Sequence, residues 1–242
     1  MELLLLSSSR TPAGYFTDYL PAIREFTASA RRAAFIPYAA VGLPWPEYEK
    51  RVGDATGLRF STSLADADLI VVGGGNTFQL LRECRTRNVL ETIAHRVRAE
   101  GAKYLGWSAG ANLACPTIKT TNDMPIVDPG ALDALGLIPF QINPHYLNFS
   151  VPGHHGETRN DRLAEFARAN PGLPVIGLPE GDWLHVSGSR VELHGPHVAV
   201  WFHGEKPPDT VSPPALHEAA TWRVAASSNA AYEEKPLDRP PR

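Results

Sequence analysis

The sequence predicts an α/β protein built on a mostly parallel sheet with helices on both faces. Its strand-length apolar runs are apolar throughout, the mark of strands buried on both sides, and they alternate with segments of helical spacing. At 242 residues, with 43% apolar and 20% charged side chains, the chain has ample material for a buried core.

The elements follow in order. ELLLLS and RAAFIPYA are strands, separated by YLPAIREFTASARR, in which Leu20, Ile23 and Phe26 recur at helical spacing. In PWPEYEKRVGDATG, Pro46 suits a first helical turn and Gly57 a stop. LRFSTSL and ADLIVVGGG continue the alternation, and a helical stretch from Thr77 to about Glu100, broken near Asn88, leads to the strand AKYLGWS. FQINPH and LPVIGLPEGDW are strand ends. LHVSGSRVELHGPHVAVWFHG predicts short antiparallel strands turning at Gly188 and Gly195, which finish an edge of the same sheet. Residues 1–204 thus make one α/β domain, and 205–242 form a proline-rich extension whose last ten or so residues are expected to be mobile. RPPR at its end is read as a solvated tail rather than a ligand for an aromatic groove.

A net charge of −3, from 26 acidic and 23 basic side chains without a long block of one sign, predicts neither a nucleic-acid nor a membrane partner. MELLLLSSS has only four consecutive leucines and carries Glu2 where a signal peptide would be basic, so it is a first strand. No apolar run approaches the roughly 20 residues that span a bilayer. Cys84 and Cys115 do not make a disulfide framework; they predict a cytoplasmic protein and serve as core packing.

Parallel sheets meet ligands at the carboxyl ends of their strands, where GGGN (73–76) and GWSAGAN (106–112) fall. Gly106-Trp107-Ser108-Ala109-Gly110 is a G-x-S-x-G sequence between a strand and a small-residue helix start, the context in which a tight turn exposes a nucleophilic serine. Ser108 needs a base, and His145 follows a strand end marked by Pro144. The carboxylate that orients the imidazole is Glu180, with Asp182 and Asp123 as alternatives. The order Ser, His, acid differs from that of α/β-hydrolases. Backbone donors for an oxyanion come from Ala109 and from the Gly73-Gly74-Gly75 turn. A dinucleotide loop would need glycine where Phe78 stands. His154-His155 lacks a spaced ligand set, so no metal and no cofactor are expected. Thr158 and Asp161 have capping-box spacing, which places Arg159 in a first helical turn against the dipole. Either a bound anion or a pair with Glu157 or Asp161 accounts for it.

Taken together, LIVVGGGNTFQLL, YLGWSAGANLACPTI, TTNDMPIVDP, QINPH, GETR and VIGLPEG resemble the peptidase E family of α-aspartyl dipeptidases, in the same order and with similar spacing. The likeness runs from about Met1 to Gly204. It implies a fold related to class I glutamine amidotransferase domains and hydrolysis of dipeptides with N-terminal aspartate. It further implies Ser108 as nucleophile, His145 as base and Glu180 as acid, with the Gly75 and Ala109 N–H groups as oxyanion hole. Arg159 falls on the arginine that pairs with the substrate aspartate side chain, and Asp123 or Glu157 is left to bind the substrate amino group. The alternatives are a cyanophycinase-like β-aspartyl hydrolase and a non-catalytic binding module on the same fold. Assembly is left open, a homodimer included.

Overall fold

The computed structural model describes residues 1–60, 62–149, 153 and 155–218. The chain opens with strand β1 (Glu2–Leu6), which sends Leu3 and Leu5 into one core and Leu4 and Leu6 into the other. This period-2 division is what a fully apolar strand allows. A small hairpin, β2 (Arg10–Thr11) and β3 (Gly14–Tyr15), precedes helix α1 (Leu20–Thr27), strand β4 (Ala33–Ile36) and helix α2 (Trp45–Thr56). Proline in the first turn of α2 and Gly57 in the left-handed region at its end set its limits.

Strand β5 (Leu69–Val72) leads into α3 (Thr77–Thr86) and α4 (Leu90–Ala99), with the break at Asn88, whose φ is 54°. Strand β6 (Lys103–Trp107) and the short helix α5 (Ala109–Leu113) carry the serine motif. Then come β7 (Gln141–Asn143), α6 (Arg159–Ala169), β8 (Val175–Gly177), β9 (Trp183–Ser187), β10 (Arg190–His194), β11 (Ala199–Phe202), β12 (Asp209–Val211) and β13 (Ala215–Glu218).

The main sheet runs β13-β10-β9-β1-β6-β5-β4, with β1, β6, β5 and β4 parallel and β9, β10 and β13 antiparallel at one side. Helices α3, α4 and α5 cover one face and α1 and α2 the other. The α/β class with a parallel core and helices on both faces is therefore as the sequence predicts.

Three local expectations change. FQINPH and LPVIG, expected as strand ends within one sheet, instead pair as β7 and β8 in a second sheet of order β12-β11-β8-β7. Both flanks of β6 are already taken by β1 and β5, so a later strand has no place beside it. VAVWFHG likewise leaves the antiparallel run, because β11 crosses to pair with β8. Among the described residues, LRFSTSL yields a bridge from Phe60 to Ala33 and the start of a 3-10 turn at Leu64–Asp66 rather than a strand. Beyond residue 204, β12 extends the second sheet and β13 extends the main one. The final residues, RPPR among them, lie outside the described residues.

Candidate active site

Ser108 sits between the end of β6 and the first turn of α5 with φ 52° and ψ −113°, a backbone state that costs a non-glycine residue about 1–3 kcal/mol. The surroundings hold it there. Its N–H donates to Leu6 O at 3.1 Å, and its carbonyl accepts the first α5 bond from Asn112 N–H at 2.9 Å. Gly110 is needed because a β-carbon there would stand 2.2 Å from Val72 O, so only glycine lets α5 start this close to β5. Tyr104 Oη donates to Gly110 O at 2.7 Å and fixes the same turn from below.

Ser108 Oγ lies 2.7 Å from His145 Nε2, and His145 Nδ1 lies 2.5 Å from Glu180 Oε1. This is a nucleophile, base and acid in line, each within hydrogen-bond reach of the next. The His145 and Glu180 side chains are 37% and 56% exposed, so the pair faces the cleft mouth. His145 comes from the second sheet, at the end of β7, and reaches Ser108 across the gap between the two sheets. It too has positive φ, 55°.

Residues that sequence reasoning missed hold it in place. Ser7 is buried, accepts the His145 N–H at 2.9 Å and donates its hydroxyl to Leu178 O at 2.8 Å. Asn143 Nδ2 donates to Thr120 O and to Asn122 Oδ1, and Asn122 Nδ2 donates to Pro144 O. The available signal was a hydroxyl run directly after an apolar strand in LLLLSSS and an asparagine at a strand end in QINPH.

A cleft of about 600 Å³ opens over Ser108, walled by Gly74 and Gly75 on one side and by Ser8, Ser9 and Arg10 on another. Gly75 has φ 140°, and a β-carbon there would strike Ala39 O at 2.3 Å. Glycine is obligatory for the chain to pass this closely. A β-carbon at Gly74 would be 3.1 Å from Ser108 Cβ, which measures how near the loop runs to the serine. Ala109, the first residue of α5, presents an N–H that has no intrahelical acceptor.

The other predicted residues divide. Asp182 is buried and belongs to His197, whose N–H and Nδ1 approach its Oδ1 at 3.1 and 3.2 Å; burial pushes its carboxyl up to about 6, opposed by these His197 contacts. The turn at Gly181, φ 93°, sends Glu180 and Asp182 to different histidines. Asp123 accepts from Thr77 N–H at 2.7 Å, Thr77 Oγ1 at 2.6 Å and Thr121 Oγ1 at 3.1 Å, tying the 120s loop to the start of α3. It serves there as an anchor and does not line the cleft. Glu157 is exposed and lies 3.9 Å from Arg162.

Arg159 opens α6 behind an intact capping box between Thr158 and Asp161. Neither carboxylate suggested from the sequence neutralises it, and among the described residues it has no ion-pair partner. Burial, and next the Arg162 cation, lower its guanidinium from its ordinary value, with the Tyr146 phenol acting the other way. It does not line the cleft over Ser108; Tyr146, directly after His145, stands next to it.

Cys84 and Cys115 are buried, and burial pushes both thiols up to about 12. Of the His154-His155 pair, His154 lies outside the described residues. Among the described residues no group of three or more His, Cys, Asp or Glu is placed to hold a metal ion, and no helix is long and apolar enough to cross a membrane.

The chain matches peptidase family S51 over residues 3–194. Peptidase E of Citrobacter koseri is 48% identical over 216 residues, covering 84% of this chain and 94% of that protein. Peptidase E of Salmonella arizonae is 50% identical over 211 residues, 82% and 92% of the two chains. Among solved structures, a Listeria monocytogenes protein assigned as a peptidase E aligns with a TM-score of 0.58 at 25% identity, over 81% of this chain and 98% of that one. A peptidase from an acI-B1 actinobacterium shares the fold, with a TM-score of 0.62 at 16% identity, over 90% and 96%.

Proposed function

The chain belongs to peptidase family S51, and from that premise we infer that it is a serine peptidase hydrolysing dipeptides with N-terminal aspartate. Its α/β arrangement is class I glutamine amidotransferase-like. The single observation behind the assignment of residues is the continuous line from Ser108 Oγ through His145 to Glu180.

In this reading His145 Nε2 takes the hydroxyl proton as Ser108 Oγ attacks the carbonyl carbon of Asp-X, and Glu180 keeps Nδ1 protonated and steadies the imidazolium that forms. The Gly75 and Ala109 N–H groups receive the oxyanion. His145 then gives its proton to the leaving amine, which departs as free X. Water, deprotonated by the same imidazole, attacks the aspartyl ester and releases aspartate. Every step is proton transfer and acyl transfer by side chains of this protein.

Arg159 selects aspartate. Support comes from its half-buried cation without a carboxylate partner among the described residues, beside the residue that follows the base. A charge-assisted contact to the substrate carboxylate relieves that unpaired burial, and a substrate without it leaves the guanidinium stranded. The free amino group of the substrate has Glu157 as a candidate partner; Asp123 is already committed to Thr77 and Thr121. Two buried free cysteines favour the cytoplasm as the working compartment.

Steady-state kinetics of Arg159→Ala test the reading. kcat/KM for Asp-Leu falls by about 10²-fold or more while the much slower Ala-Leu reaction is little changed. Equal losses on both substrates, or cleavage of β-Asp-Arg in preference to Asp-Leu by the wild type, contradict it.

A further inference from the structure

The cleft over Ser108 is lined by cationic side chains as well as by the reacting groups. Arg10 and Arg51 both line it. Arg10 is the cross-strand partner of Tyr15 in the β2-β3 hairpin. Arg51 projects from α2, the helix whose Tyr48 Oη donates to Gly74 O at 2.9 Å. Tyr15 lines the same cleft and lies within electrostatic reach of both guanidinium groups.

Arg10 has no carboxylate partner among the described residues, and Arg51 has only Glu47 of its own helix, at 3.4 Å with both side chains about half exposed. An exposed i,i+4 pair of this kind is weak and readily exchanged for a better anion. Among the described residues the one carboxylate lining the cleft is Glu180, already engaged by His145.

The chain path brings Arg10 to the cleft wall. The segment from Ser7 to Arg10 leaves β1 beside both reacting side chains: Ser108 N–H is bonded to Leu6 O, and His145 N–H to Ser7 Oγ. Arg159 lies elsewhere, on α6, which packs over the second sheet through Leu163, Ala167, Val175 and Phe202. With the aspartate side chain assigned to Arg159 in the reading above, Arg10 and Arg51 are the arginines that line the cleft and are left for the other end of a dipeptide.

We propose that Arg10 and Arg51 form a subsite for the C-terminal carboxylate of the substrate, so that the enzyme measures a dipeptide by both of its ends. The inference rests on the peptidase reading above and adds the leaving-group side to it. Val41, Leu43 and Ile126 wall the same space with apolar surface. The residue received there is apolar with a free carboxylate. A chain extended beyond it, or an amide in place of the acid, forfeits the contact.

The experiment compares Asp-Leu with Asp-leucinamide, whose terminal carboxylate is masked, on the wild type and on the Arg10→Ala/Arg51→Ala double variant, with thermal unfolding as the check on folding. Wild type prefers the free acid by about 10- to 100-fold in kcat/KM, the range of a charge-assisted contact, and the folded double variant collapses that ratio toward one. A wild-type ratio near one, or a ratio unchanged in the variant, overturns the subsite. A variant that instead loses preference for Asp-Leu over Ala-Leu also overturns it, because the arginines then serve the aspartate side chain. Absence of any Asp-Leu cleavage by the wild type overturns the peptidase reading and the subsite with it. If the double variant does not fold, Arg10→Ala alone, on the exposed hairpin, is read by the same ratio.

Discussion

Glu180 and Asp182 stand two residues apart, and each holds a histidine. His145 Nδ1 is 2.5 Å from Glu180, whereas Asp182 is 3.2 Å from His197 Nδ1. Glu180→Gln therefore loses the group that sets the tautomer of the base, and kcat for Asp-Leu falls by about 10²- to 10⁴-fold. Asp182→Asn leaves kcat within a few-fold of the wild type. Parallel kinetics of the two variants check the assignment, and the opposite ranking refutes it. The meeting of Ser108 with His145 was legible in the sequence because each follows a recognisable strand end. Glu180 was the first choice of acid from its strand end, but what separates it from Asp182, the left-handed turn at Gly181, leaves no mark in the sequence beyond a glycine. Ser7 was invisible for a different reason: its bond to His145 joins residues 138 apart and leaves no periodic trace.

At the scale of elements, the approach of α5 to the sheet makes the site. Gly110→Ala places a methyl against Val72 O, where 2.2 Å is available, and α5 must move outward. Overpacking of this kind costs about 1–3 kcal/mol or more. The Ala109 N–H moves with the helix, so kcat drops along with the denaturation midpoint. A Gly110→Ala protein with wild-type stability would show that the turn has slack the distances deny. The strands and helices themselves were largely readable, since apolar runs and 3.6-residue spacing reflect burial directly. Sheet membership was not. The sequence marks β7 and β8 as strands, but their separation from the main sheet follows from β6 having both flanks occupied, a property of the assembled fold. Among the described residues of LRFSTSL, Phe60 alone bridges a neighbouring strand, too little for a strand of its own.

Across the whole molecule, β1 links the parts. It pairs with β6 and β9, and the chain runs on from it through Ser7 to Arg10, so one segment bonds the nucleophile and the base and reaches the cleft wall. Asp182 lies at the same junction, with its carbonyl accepting Ser7 N–H at 3.1 Å and its carboxyl facing His197, while the Tyr19 phenol bonds the adjacent Gly181 N–H. Burial raises that carboxyl from 3.8 to about 6. The sign follows from linkage: the folded state holds this proton to higher pH than the unfolded chain. Asp182 thus subtracts stability as pH rises from about 4 to about 6. Relative to the wild type, Asp182→Asn gains stability across that window and holds the gain above it, as thermal unfolding against pH would register. A difference that stays flat from pH 4 to 7 would show that His197 fully compensates the buried carboxyl.

The central claim is that Ser108 is the nucleophile that cleaves Asp-X, and the most direct measurement is the turnover of Asp-Leu by Ser108→Ala. Ser108→Ala is expected to unfold at the wild-type temperature within a few degrees and to retain less than about one part in 10³ of wild-type kcat. A folded Ser108→Ala protein that still hydrolyses Asp-Leu at a comparable rate would contradict it.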